Sequence, residues 1–359
     1  MSPRIRLHGA AAMMATAMAA GCQLIGGIDA RSLGVDGDAG GTTPFCDGGA
    51  CLAEPPSCAQ GGAGMTTCGG ATSCCASGEV EGGVYDRSYD GLSAGYTSMA
   101  FPAKVTGFRL DRYEVTVGRF RPFIDAVAGG WLPGSGAGKH AYLNQGLGLN
   151  ATAGGNEPGW DAVDWNANLA ATLDDWTGNL SCISPGATWS ASPGDGEALP
   201  INCVTWYEAY AFCIWDGGFL PSEAEWNYAA AGGAEQRAYP WSPPLAGAGS
   251  GTPAIGCSDA DYSDCTSGAT SAAGTYSPAG DGKWGQSDLA GNVWEWTLDW
   301  NASYVTPCTD CANLTAASER VLRGGSYTTA ASFLLVSYRL SHDALTRDGD
   351  IGLRCARAP

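Results

Sequence analysis

Leu199-Pro200-Ile201-Asn202-Cys203-Val204-Thr205-Trp206-Tyr207-Glu208 runs on to Leu220-Pro221-Ser222-Glu223-Ala224-Glu225-Trp226-Asn227-Tyr228-Ala229-Ala230 and Tyr239-Pro240-Trp241. Thr205 and Glu208 form a capping box: the hydroxyl accepts from the amide three residues on, and the carboxylate accepts from the amide of the cap. Trp206, Ala209, Tyr210, Cys213 and Ile214 then fall on one helical face, and Gly217-Gly218 ends the helix. Ser222 with Glu225 is a second capping box, opening a helix that stops at Gly232-Gly233.

Upstream, Val105 to Val115 carries Phe108 and Leu110 in alternation and reads as a strand leading to a helix capped by Thr116. Pro122 lies inside that helix and is expected to shorten or kink it. Downstream, Ile351, Leu353 and Cys355 alternate, which puts them on one face of a strand. Cys213 already faces the core from its helix. Two core-facing cysteines in an oxidising compartment are disulfide candidates.

The 54 glycines and the scarcity of helical periodicity predict a loop-rich α+β domain. Nearly all Trp, Tyr and Phe lie in residues 78–359, a stretch long enough to bury a large core as one domain. Residues 22–77 hold Cys46, Cys51, Cys58, Cys68, Cys74 and Cys75 among Gly, Ala, Asp and Pro. They read as a Gly/Cys-rich tether, either flexible or stapled into a small disulfide knot, whose connectivity sequence leaves open.

The chain opens with Arg4 and Arg6, a short apolar run from Ala10 to Ala20, and Gly21-Cys22. That pattern reads as a secretory signal over residues 1–21. Ala19-Ala20-Gly21-Cys22 resembles a bacterial lipobox, making Cys22 the lipidated N-terminus and anchoring the protein in the outer membrane; ordinary cleavage and secretion is the alternative. Setting Cys22 aside leaves 14 of 15 cysteines, an even number suited to pairing outside the cytoplasm. Removing residues 1–21 takes two of the 18 basic residues and none of the 36 acidic ones, shifting formal charge from −18 to −20. So acidic a protein repels nucleic acid, which is excluded as a partner.

With Tyr113-Glu114-Val115-Thr116, Gly291-Asn292-Val293-Trp294-Glu295-Trp296, Arg323-Gly324-Gly325-Ser326 and Gly352-Leu353-Arg354-Cys355, the stretch first quoted resembles the formylglycine-generating enzyme (sulfatase-modifying factor) domain from about Gly82 to Arg357. The resemblance implies a single α+β domain with a C-type-lectin-like core, low in regular secondary structure and often calcium-bound. Members that oxidise a sulfatase cysteine hold Cu(I) between two thiolates, and soft sulfur suits that ion. Aligned on the Gly-Gly-Ser turn, the two ligand positions here are Thr329 and Leu334, with Ala330 and Ala331 between them. No catalytic residues and no copper are therefore expected. The family's core disulfide falls on Cys213 and Cys355. A second falls at Ala230 and about Arg339, where both cysteines are absent. Cys182, Cys203, Cys257, Cys265, Cys308 and Cys311 are expected to staple loops locally.

Calcium is the implied metal, with Asp288 and Glu295 as acids and the carbonyls of Gly291 and Val293 completing the loop, since hard Ca²⁺ takes several oxygens. Asp261 aligns with a second site, but its loop differs. Cys308-Thr309-Asp310-Cys311 reads as a small disulfide before a redox dithiol or substitute Cu(I) site. Zinc lacks a second Cys-x-x-Cys, and the iron of the related ergothioneine-synthesis enzymes lacks its histidines, since only His140 and His342 follow the signal. His342, Asp343, Asp348 and Asp350 read as a solvated acidic loop, or as an acid/base cluster beside the groove. Trp206, Trp226, Trp294 and Trp296 are assigned to the core. Trp131, Trp160, Trp165 and Trp176, in the insertion from Gly129 to Ala198, are candidates for a surface that stacks on a glycan or peptide. Two functions remain: an anchored binding or structural module that has lost its catalytic cysteines, and an oxidoreductase or other metal-dependent enzyme with a non-standard site.

Overall fold

Both capping boxes close in the computed structural model, which describes residues 45–47, 50–52 and 54–359 except 71, 94, 183–185, 246–252, 266–267 and 305. The Glu208 amide donates to Thr205 Oγ1 (3.2 Å) and the Thr205 amide to Glu208 Oε2 (2.9 Å). Ser222 and Glu225 reproduce the pattern at 3.2 and 2.8 Å. The helices they start are α3 (Trp206–Trp215) and α4 (Glu223–Ala230). The Thr116 side chain caps α1 (Val117–Ala128), which continues through Pro122 to Ala128 rather than stopping at it.

α3 is more buried than one apolar face requires. Ala211 and Phe212, off the expected face, are fully buried, and Phe212 stacks on Phe120 of α1 with centroids 5.3 Å apart. Ile214, assigned to the buried face, is half-exposed. The reason is that α1 and α2 (Leu173–Leu180) cover the second side through Phe120, Phe123 and Trp176.

Strands are short, as the glycine content predicts. β1 (Phe45–Asp47) and β2 (Ala50–Leu52) form a hairpin. β3 (Ser77–Val80), β6 (Phe108–Asp111) and β14 (Ala356–Arg357) make a sheet in the order β14-β6-β3, and β4 (Gly83–Asp86), β5 (Pro102–Val105) and β9 (Cys308–Thr309) make another. β7 (Asn150–Ala151) pairs with β10 (Cys311–Ala312). The largest sheet has the order β12-β11-β8-β13, from β8 (Trp294–Trp300), β11 (Arg320–Arg323), β12 (Leu340–His342) and β13 (Ile351–Gly352). Ile351, Leu353 and Cys355 therefore do not share one strand. β13 pairs with β8, β14 pairs with β6, and the intervening Arg354 is as buried as its neighbours. This crossing joins the two sheets, and the Cys213–Cys355 disulfide (S–S 2.04 Å) fastens it to α3.

The packed region reaches back before Gly78. Cys58–Cys75 and Cys68–Cys74 are disulfides whose cysteines are all buried. Arg119 of α1 reaches this segment through Ser57 Oγ (3.1 Å) and the Cys74 carbonyl (3.1 Å), while pairing with Asp111 and Asp216 at 3.0 and 2.7 Å. A disulfide knot docked by a buried guanidinium thus describes residues 57–76 better than free chain does. Residues 1–21 and Cys22 lie outside the described residues. Three further disulfides, Cys182–Cys203, Cys257–Cys265 and Cys308–Cys311, each close a short stretch of chain.

The four insertion tryptophans do not form one shared surface, because two of them turn fully inward. Trp160 and Trp176 are completely buried, and Trp131 and Trp165 are half-buried against the same core. Their apolar area is drawn inward because α1 and α3 offer aromatic partners: Trp176 on Phe120 and Phe123, Trp160 on Tyr210. Trp206, Trp226, Trp294 and Trp296 are core residues.

Candidate functional site

Strand β11 ends at Arg323, and the chain turns through Gly324 and Gly325 at φ +102° and +79°. A side chain at Gly325 would meet Leu334 Cδ1 at 2.6 Å, so glycine is required there on two counts. The turn then folds on itself. The Ser326 amide donates to Thr329 Oγ1 (3.0 Å), and that hydroxyl donates back to the Ser326 carbonyl (3.0 Å). Leu334 is fully buried in a cluster with Tyr239, Tyr262 and Ala290. Thr329 is thus a clamp on its own turn and Leu334 a packing residue.

Beside them, Ser326 Oγ and Thr328 Oγ1 both donate to Asp350 Oδ2, at 2.8 and 2.7 Å. This arrangement orders the turn but brings no imidazole or thiol to either hydroxyl. The acid/base grouping of His342, Asp343, Asp348 and Asp350 is not gathered. Asp350 serves the turn, Asp343 accepts from the Leu345 amide (2.8 Å), and His342 lies opposite Arg320 in strand register. All twelve cysteines from Cys58 onward are in disulfides, including Cys308 and Cys311, so none of these twelve offers a free thiol.

The loop proposed for calcium is built around acids with few counter-charges. Glu295 is buried, and both its oxygens are engaged by Arg354 (2.7–2.9 Å), with the Trp226 indole donating to Oε2 (2.7 Å). Asp288, at φ +57°, accepts from the Gly274 amide (2.6 Å). Burial pushes its carboxyl up to about 6, with Asp281 and Glu295 adding to the effect against Gly274 and Arg354. Glu114 accepts from the Val293 amide (3.2 Å) and from Asn292, and burial together with Asp288 and Glu295 raises it well above the usual range. Asp261, held by Ser271, joins this loop through its carbonyl, which accepts from the Asn292 amide (2.9 Å). Among the described residues no group of three or more His, Cys, Asp and Glu converges to hold a metal ion. A calcium ion would therefore rest on Asp288 and backbone carbonyls, sharing Glu295 with Arg354.

Two buried assemblies had no counterpart in the sequence reading. His140 lies between Glu157 (3.0 Å from Nδ1) and Glu225 (3.0 Å from Nε2). Burial alone would depress the imidazole, but Glu225 and Glu157 outweigh it and raise the group to about 10, so it is a fixed cation. Arg323 and Arg339 converge on Glu223, at 2.5 and 2.6 Å. At the second family disulfide, then, Ala230 is plain core and Arg339 makes an ion pair instead. Two arginines in the run Arg320-Val321-Leu322-Arg323 were the available signal, because charges at both ends of a buried strand need partners.

The loop-rich α+β domain closed by the β13–β14 crossing, with its double-glycine turn, defines the fold class, and a fold alone does not fix function. Residues 71–359 match the family described as Sulfatase-modifying factor enzyme 1-like domain, and the chain belongs to that family. It is 29% identical over 286 residues to the formylglycine-generating enzyme of Thermomonospora curvata, covering 71% of this chain and 84% of that protein. It is 32% identical over 187 residues to the inactive C-alpha-formylglycine-generating enzyme 2 of Mus musculus, covering 48% and 55%. The solved structure of PvdO from Pseudomonas aeruginosa superposes with a TM-score of 0.52 at 18% identity, covering 78% of this chain and 93% of that one, which is a likeness of fold.

Proposed function

We propose that this is an exported lipoprotein, anchored through Cys22 in the outer membrane, whose formylglycine-generating-enzyme-like domain lacks the copper cysteines and works as a binding or structural module. The observation that carries the reading is the pair of aligned ligand positions: a hydroxyl spent on its own turn at Thr329 and a wholly buried side chain at Leu334. Neither supplies the soft sulfur that Cu(I) needs. Likeness to a relative named as inactive agrees with this, although that protein's properties remain its own. The N-terminal Arg4/Arg6 region and Ala19-Ala20-Gly21-Cys22 support export and lipidation.

Calcium belongs to the same proposal. Its support is the excess of buried acid, with Glu114, Asp288 and Glu295 set against Arg354 alone. Added Ca²⁺ should raise the melting temperature of metal-stripped protein, and Asp288→Asn should abolish that rise.

The decisive experiment is metal analysis of folded protein, paired with oxygen uptake on a cysteine-containing peptide. The expected result is no stoichiometric copper or iron and no uptake. Stoichiometric copper with oxygen consumption would replace this reading with the oxidoreductase one. Labelling with a lipid precursor tests the anchor: wild type takes up label and Cys22→Ala does not.

A further inference from the structure

Arg320 is 2% exposed and has no acid partner among the described residues. Its guanidinium lies between the indoles of Trp206 and Trp300, 3.5 and 3.6 Å from the ring centroids. Nη1 donates to the Leu298 carbonyl (2.7 Å), while Nε, buried, has no hydrogen-bond partner. Burial pushes the group down to about 9, against the opposing influence of Tyr207, Asp299 and Tyr210. The acids nearby are already committed. Asp299 accepts from the amides of Glu223 and Asn313 (2.7 and 2.6 Å), and Glu157 accepts from the amides of His140 and Leu149 and shares the His140 imidazolium with Glu225.

This cation lines a cavity of about 180 Å³ whose walls include Trp165, Trp206, Trp300, Leu298 and Leu314, with Glu157 and Tyr210 also lining it. Trp165 comes from the insertion and packs edge-on against Trp206, with centroids 5.4 Å apart. The cavity thus combines flat apolar walls with one buried cation whose Nε has no hydrogen-bond partner, and its one lining carboxylate, Glu157, is turned to His140 and to the amides of His140 and Leu149. A buried guanidinium without a carboxylate is a costly feature, and an incoming anion relieves that cost.

We infer that this cavity is a binding site for a small aromatic carboxylate, its ring against the indoles and its carboxylate on Arg320. Sugars fit less well, because the walls are mostly aromatic and aliphatic and the two polar lining groups, Glu157 and the Tyr210 hydroxyl, are already bonded to His140 and the Gly138 carbonyl. The site is separate from the Gly324–Gly325 turn, and the inference does not depend on whether that turn supports chemistry.

The test uses benzoate and its neutral isostere benzamide, titrated calorimetrically into the folded domain. Saturable benzoate binding in the millimolar range or tighter is expected, at least about tenfold stronger than benzamide. Arg320→Gln should remove the preference for the charged ligand. Ala316→Trp, at an exposed position lining the same cavity, should block both ligands while leaving the Arg320 stack in place. If Arg320→Gln fails to fold, Ala316→Trp still decides. Equal affinity for benzoate and benzamide, undiminished binding to Ala316→Trp, or no saturable benzoate binding by wild type would each overturn the assignment. None of these outcomes bears on copper or oxygen uptake.

Discussion

Arg320 and Arg323 stand at the two ends of one four-residue strand, both essentially buried, yet their surroundings are opposite. Arg323 meets Glu223 at 2.5 Å, donates to the carbonyls of Val336, Ser337 and Tyr338, and reaches Ser88 and Tyr304. Arg320 has two indole faces, one carbonyl and an idle Nε. The pairing of Arg323 makes it part of the scaffold, since a buried charge with every donor used has nothing left to offer a ligand. Arg320 keeps donor capacity. The contrast locates recognition capacity on the aromatic side of the strand rather than beside the glycine turn, where family resemblance directs attention.

The sharpest way to break the contrast is Glu223→Gln. It leaves Arg323 and Arg339 facing a neutral amide in a buried site, and removing one partner of a buried pair costs about 3–5 kcal/mol. A melting temperature lowered by at least several degrees is expected. A change within the scatter of surface mutations would show that Arg323 is no better compensated than Arg320.

Acid should erode the same pair. Burial would raise the Glu223 carboxyl, but Arg339 and Arg323 outweigh it and lower the group from 4.5 to about 2. A depressed carboxylate contributes stability that is present above pH 4.5 and is lost as pH falls through 2. Melting curves from pH 5 downward should fall steadily in wild type and less steeply in Glu223→Gln.

His140 gives the mirror image and a smaller effect, because its loss falls outside the usual working range. The folded group titrates at about 10 against an ordinary 6.5. Its contribution is fully present below 6.5 and disappears as pH rises through 10. His140→Gln should therefore flatten the alkaline limb of the stability profile and, because the His140 cation outweighs burial and holds the Glu225 carboxyl below its ordinary range, also make the acid limb less steep.

How far these features could be read in advance follows from the range of the interactions involved. Thr205/Glu208 and Ser222/Glu225 are three-residue signals, legible because the partner is written into the same turn. The turn at Gly324-Gly325 is likewise local, its glycines required by backbone dihedrals. Trp160 and Trp176 were misplaced because their burial depends on α1 and α3, distant in sequence. Nothing in the composition of the insertion distinguishes a tryptophan that folds inward from one left outside. Glu223 is the instructive intermediate. It is legible as a first-turn acid, yet its role depends on Arg323 and Arg339, 100 and 116 residues away and invisible to periodicity. The aromatic cavity is the extreme case, assembled from the insertion, α3, β8 and the segment before β11.

The smallest expected effect tests the other side of the contrast. Arg320→Met keeps a long, flexible, polarisable side chain between Trp206 and Trp300 and removes the uncompensated charge. Two cation–π contacts, each worth about 0.5–2 kcal/mol, are lost together with the hydrogen bond to Leu298. Against that stands the recovered cost of holding an unpaired guanidinium out of water, and no acid is left stranded by the change. The terms oppose one another, so the net change should be about 1 kcal/mol or less in either direction. A melting temperature within a few degrees of wild type, together with lost benzoate binding, would separate this residue from the scaffold. A loss as large as that of Glu223→Gln would mean instead that Arg320 is held for stability, and the difference between the two ends of β11 would then be one of partner type alone.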